Sequence, residues 1–100
     1  MKTFRSYQLA LSFYKQCRTL DLPYHLKDQL QRAASSIALN LAEGSGKRTP
    51  ADQKRFYQIA FGSLRECQAV LDLAETDSAA LIDCADHLGA SVYKLIKGTG

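Results

Sequence analysis

The sequence predicts an all-α fold: an antiparallel up-down-up-down four-helix bundle filling residues 1–100 as a single domain. Three observations lead there. Apolar residues recur at i, i+3 and i+4 along almost the whole chain, which is the period of a helix with one buried face. No segment alternates apolar and polar residues between hairpin turns, so strands are not expected. The breaks are short, around residues 21–24, 44–49 and 76–78, and short connections make antiparallel neighbours.

The first helix is expected over roughly residues 3–20. At about 100° per residue, Tyr7, Leu11 and Tyr14 share one direction, while Leu9, Phe13 and Leu20 lie about 140° away. Ala10 and Cys17 fill the gap. So wide an apolar arc implies burial on two sides. The second helix, about 25–43, starts after Pro23 and carries Leu26, Leu30, Ala33, Ala34, Ile37 and Leu41 on one face. Gly44 is read as its left-handed terminator.

The third helix, about 50–75, has Thr49 as cap, Pro50 at the first helical position and Asp52 three residues after the cap. Phe56, Tyr57, Ala60, Leu64, Cys67, Val70, Leu71 and Ala74 form its apolar face. Ser78 caps the fourth helix, about 79–97, with Leu81, Ile82, Ala85, Leu88, Val92, Leu95 and Ile96 inward and Gly98 beyond its end. Small residues gather on the second and third helices: Ala33, Ala34, Ser35, Ser36, Ala38 and Ala42, then Ala60, Gly62 and Ser63. That pair is expected to approach near the low end of the roughly 8–10 Å range. Close packing would compensate the ~1 kcal/mol of helix propensity that Gly62 gives up against Ala.

Several function classes are excluded or disfavoured. "GSGKRT", residues 44–49, suggests a phosphate-binding loop, but Arg48 stands where Ser or Thr is required, Leu41 where the first Gly is required, and helix precedes it instead of strand. Cys17, Cys67 and Cys84 have no C-x-x-C spacing and read as buried, inert thiols. His25 and His87 lack metal-ligand spacing, so no metal and no cofactor is expected. Catalytic carboxylate and nucleophile patterns are missing, so an enzyme is not expected. The composition is 46% hydrophobic and 23% charged, that of an ordinary globular protein. No apolar run nears the roughly 20 residues that cross a bilayer. The N-terminus is no signal peptide, so no membrane and a cytoplasmic location are expected.

Charge is uneven. Residues 1–55 hold ten basic and four acidic side chains, and residues 56–100 hold three basic and six acidic. Lys47, Arg48, Lys54 and Arg55 cluster around a helix N-terminus, where the helix dipole also favours anions. With Arg65 they are the candidate nucleic-acid contacts. Phe61, on one stripe with Lys54, Gln58 and Arg65, reads either as a base-stacking ring or as an interface residue. Leu9, Phe13, Leu20, Leu39 and Phe61 are the candidate oligomer interface. Arg32, Asn40, Glu43 and Glu66 are expected to form a buried or interfacial polar network that fixes register.

Residues 29–74 also carry a family likeness. Gln29-Leu30, Arg32-Ala33-Ala34, Ser36-Ile37, Asn40, the Ala42-Glu43-Gly44 corner, the basic loop, Phe56, Ala60, Gly62-Ser63-Leu64 and Glu66 resemble the small bacterial four-helix-bundle proteins encoded within intervening sequences of 23S ribosomal RNA genes. Two departures are Ala38, where the family often has Pro, and the lack of a first-helix Trp. The resemblance implies a bundle assembled as a homo-oligomeric ring, a homopentamer, with no catalysis and a role with structured RNA. The accessory proteins of diversity-generating retroelements are similar in architecture. The expected partners are therefore further copies of the chain and RNA or DNA. The alternative is a scaffold for another protein, such as a nucleic-acid-processing enzyme, without nucleic-acid contact.

Overall fold

The computed structural model describes residues 4–99. The expected helix start at Thr3 therefore lies outside the described residues. Four helices follow in order: α1 Arg5–Arg18, α2 Tyr24–Ser45, α3 Pro50–Leu73 and α4 Ala79–Gly98. Each packs against its neighbours in the chain, α4 closes onto α1, and the backbones of the diagonal pairs stay more than 8 Å apart. The result is a rod of 40 × 22 × 22 Å. Cross-helix partners run in opposite directions. Gln29 meets Glu66 and Ser36 meets Ser63 between α2 and α3, and Ser6 meets Ser91 between α1 and α4.

Local chemistry sets most of the ends. The Thr49 hydroxyl accepts from the Asp52 amide at 3.2 Å, with Pro50 at the first helical position, so one orphan donor is satisfied where proline lacks one anyway. The Ser78 hydroxyl accepts from the Leu81 amide at 3.3 Å. The end of α3 is less regular. Its last turn closes by Thr76 N–H donating to the Leu71 carbonyl and Glu75 N–H to the Asp72 carbonyl, a double closure that needs a left-handed residue. Glu75 supplies it with φ 54°. Glycine has no Cβ penalty there, so Glu75→Gly should stabilise the bundle by about 0.5–1 kcal/mol, read from a denaturant midpoint.

The core holds Phe13 from α1, Leu30, Ile37 and Leu41 from α2, Leu64 and Val70 from α3, and Leu81, Leu88 and Val92 from α4. Phe13 is 0% exposed, which corrects its assignment to an oligomer interface. In this bundle α1 lies against both α2 and α4, so two intramolecular neighbours occupy much of its wide apolar arc. Ile82, expected inward, is exposed.

Two glycines do not play the roles expected of them. Gly44 does not end α2; the helix continues through Ser45 and is capped at Gly46 in right-handed conformation. Gly44 is instead a close-approach site, where an added Cβ would stand 2.7 Å from the Tyr57 ring and 3.0 Å from Phe56 Cβ. Gly62 faces open space, with nothing within 4 Å of an added Cβ, so no packing compensates its poor propensity.

Cys17 and Cys67 are buried and Cys84 is half-buried. Burial, with the neighbouring Cys84 second, pushes the Cys17 thiol from 9.0 up to about 12. Burial also raises Cys67 and Cys84. At about pH 8 the thiols keep their protons folded or unfolded, and the contribution of burial is complete. As pH climbs from about 9 towards 12 the unfolded chain releases protons that the folded chain retains, so stability falls. The thermal midpoint should therefore hold steady to about pH 8 and decline above pH 9. A midpoint that rises through that range would contradict the sign.

Candidate nucleic-acid interface

The antiparallel topology converts the charge pattern along the chain into a charge difference along the rod. The start of α1, the α2–α3 corner and the end of α4 lie at one end. Dividing each helix at its middle, that half (residues 4–11, 35–61 and 89–99) carries seven basic side chains and two acidic ones, a net of +5. The other half, residues 12–34 and 62–88, carries five basic and eight acidic, a net of −3. Lys47, Arg48, Lys54 and Arg55 all belong to the basic end. Arg5, Lys94 and Lys97 join them there, brought by the topology from positions far from the loop in the sequence.

Phe56 organises two of the predicted cations. Lys47 Nζ lies 5.0 Å from its ring centroid and Arg55 Cζ 4.5 Å, within reach of the ring quadrupole. Lys47 also pairs with Glu43 at 3.1 Å. Phe56 reaches this position because Gly44 lets α3 approach α2. Gly44→Ala should therefore cost about 1–3 kcal/mol through overpacking and loosen the Lys47–Phe56–Arg55 arrangement. Gly62→Ala, at an open helical position, should gain up to about 1 kcal/mol. Paired thermal melts test both signs.

Arg48 is exposed and Lys54 half-buried, and no ion pair engages either among the described residues. Arg65 stands apart from this group. It lies eleven residues beyond Lys54, about 16 Å along the helix axis, with Cζ 5.0 Å from the Phe61 ring centroid and one guanidinium N–H donated to Gln68 at 3.2 Å. Phe61 has a partner that the sequence did not reveal: Tyr93 of α4, with ring centroids 6.5 Å apart.

The model of the 23S rRNA-intervening sequence protein family matches residues 3–97. The chain belongs to that family. No curated protein matches it.

In this 23S rRNA-intervening sequence protein the remaining candidate residues separate into small groups. Arg32, Asn40, Glu43 and Glu66 do not form one network within the chain. Arg32 pairs with Asp28 at 3.2 Å, Glu43 with Lys47, and Glu66 accepts from Gln29 at 3.4 Å. The Asn40 amide donates to the Ser36 carbonyl at 2.8 Å and to its hydroxyl at 3.0 Å, and Ser36 meets Ser63 at 2.9 Å. The small side chains of α2 and α3 thus form a hydrogen-bonded seam. The exposed pairs beside it add little, since ion pairs in water contribute about 0–1 kcal/mol.

Of the proposed interface residues, Leu39 is 68% exposed, while Leu9, Leu20 and Phe61 are half-buried. Tyr24 and Leu73 are more exposed than Leu39, and no motif or spacing distinguishes them. Among the described residues no group of three or more His, Cys, Asp or Glu could hold a metal ion. No described helix is long and apolar enough to cross a membrane.

Proposed function

We propose that this protein is a non-catalytic, cytoplasmic homo-oligomer that docks structured RNA or another nucleic acid on its basic end. The net +5 of that end is the observation that carries the reading. Lys47, Arg48, Lys54 and Arg55 are the principal contacts, with Arg65 secondary. Their placement supports this. Arg48, just before α3, and Lys54, near its start, face the positive end of the helix dipole with no ion pair among the described residues, and residues that break a local rule without local gain point to function. A phosphate beside them would reverse the sign of that interaction.

Self-association supports binding by repetition. The exposed Leu39 and the half-buried Leu9 and Leu20 provide apolar surface for a second copy, and the family likeness favours a ring of five. A few cations per chain then become many per particle, which raises avidity and salt sensitivity together. The test is a salt titration of the native protein with unlabelled RNA and DNA competitors, alongside the sedimentation mass of the free particle. The reading predicts a multimer and an affinity that drops steeply with salt. Absence of binding at low salt would reject it and leave the exposed Leu39, Tyr24 and Leu73 as a docking surface for a partner protein.

A further inference from the structure

Two hollows flank α4 and meet at Ala90. The first, of about 270 Å³, lies between α3 and α4. Its floor is built from Leu64, Ala85 and Gly89, and Phe61 and Tyr93 stand along it. Gly89 leaves the floor low, since an added Cβ would press on Leu64 Cδ2 at 3.3 Å. Tyr93 is 53% exposed. Arg65 Cζ sits 5.0 Å from the Phe61 centroid and Lys97 Nζ 5.8 Å from that of Tyr93. The second hollow, of about 230 Å³, lies between α4 and the start of α1 and is lined by Arg5, His87, Ser91 and Lys94. One hollow is aromatic with flanking cations; the adjoining one is basic.

We propose that this ridge of α4 is a site for one unpaired nucleotide of a single strand, the base in the α3–α4 hollow and its phosphate over Arg5 and Lys94. The inference rests on the nucleic-acid reading and adds to it a place and a strandedness. A flat base fits the chemistry. Tyr93 offers a stacking face, the Arg65 guanidinium a second planar surface, and Gln68 and Asp86, which also line the hollow, can bond to polar atoms on a base edge. The volume is at or below the small end of ligand pockets, suited to one base and too small for a base pair. Asp83 and Asp86 on the N-terminal half of α4 repel phosphate, while Lys94 and Lys97 on the C-terminal half attract it. The backbone is thereby directed to the basic end.

The experiment uses the native particle and a short single-stranded RNA with one 2-aminopurine, whose emission falls when it stacks. Quenching on binding is expected, with weaker affinity for a duplex of equal charge. The Phe61→Leu/Tyr93→Ala chain should lose the quenching and about tenfold to a hundredfold in single-strand affinity, with an unchanged salt slope and an unchanged particle mass. Quenching that persists in that variant would overturn the site while leaving salt-dependent binding intact. Dissociation of the particle by the same substitutions would also overturn it, by showing that the groove is covered by a second copy. Absence of any RNA binding by the native particle would remove both this site and the reading it rests on.

Discussion

With Lys47, Arg48, Lys54 and Arg55 all replaced by Gln, the salt sensitivity of nucleic-acid binding should fall sharply, leaving the part due to Arg5, Arg65, Lys94 and Lys97. Each phosphate neutralised releases counterions, and four fewer contacts flatten the slope of log affinity against log salt by about 3–4. Between about 50 and 200 mM salt the native chain should therefore lose about a hundredfold more affinity than the variant. The fold should survive. Lys47 loses one exposed pair with Glu43, worth about 0–1 kcal/mol, and removing cations from the start of α3 relieves their conflict with the helix dipole. Circular dichroism and particle mass should match the native protein, so the loss can be assigned to the contacts. An unchanged slope would detach the basic loop from binding.

Phe13→Ala should have the largest effect on stability, about 3–5 kcal/mol. The ring is completely buried beside Ala10 and Cys17, on a helix of only 14 residues with no side-chain cap at its start. A short helix of that kind is marginal alone and depends on packing. A small domain has about 5–15 kcal/mol in total, so a large share of the population could unfold at moderate temperature. Chemical denaturation measures the loss. A cost below about 1 kcal/mol would mean that the ring is not a core residue. Leu39→Ser offers the contrast: at an exposed position it should leave the monomer's stability within about 0.5 kcal/mol while weakening self-association.

Much of the fold is legible because helix signals are local. Thr49-Pro50 and Ser78 carry their capping chemistry in the sequence, and the period of Leu30, Ile37 and Leu41 needs no partner to be recognised. Features that depend on register were not legible. Phe61 and Tyr93 are 32 positions apart in the sequence and meet only because α3 and α4 pack at one particular offset. Gly44 reads as a terminator because a glycine after the last periodic residue is the local signal; that the helix runs on past it is tied to Tyr57, whose ring needs the space beside Gly44. Phe13 misled because a helical wheel shows how wide an apolar arc is but not whether a neighbour in the same chain or another copy covers it. The charge pattern was visible as two unequal halves of the sequence. Its meaning required the topology, which brings residues 5, 47–55 and 94–97 to one end.

The most direct test of the central claim is to photocross-link RNA to the native particle and identify the peptides that carry the adduct. Adducts concentrated in residues 43–61 and 89–99, at the basic end, are the predicted result. Adducts concentrated instead in residues 72–83, among Asp72, Glu75, Asp77 and Asp83 at the acidic end, would contradict the account.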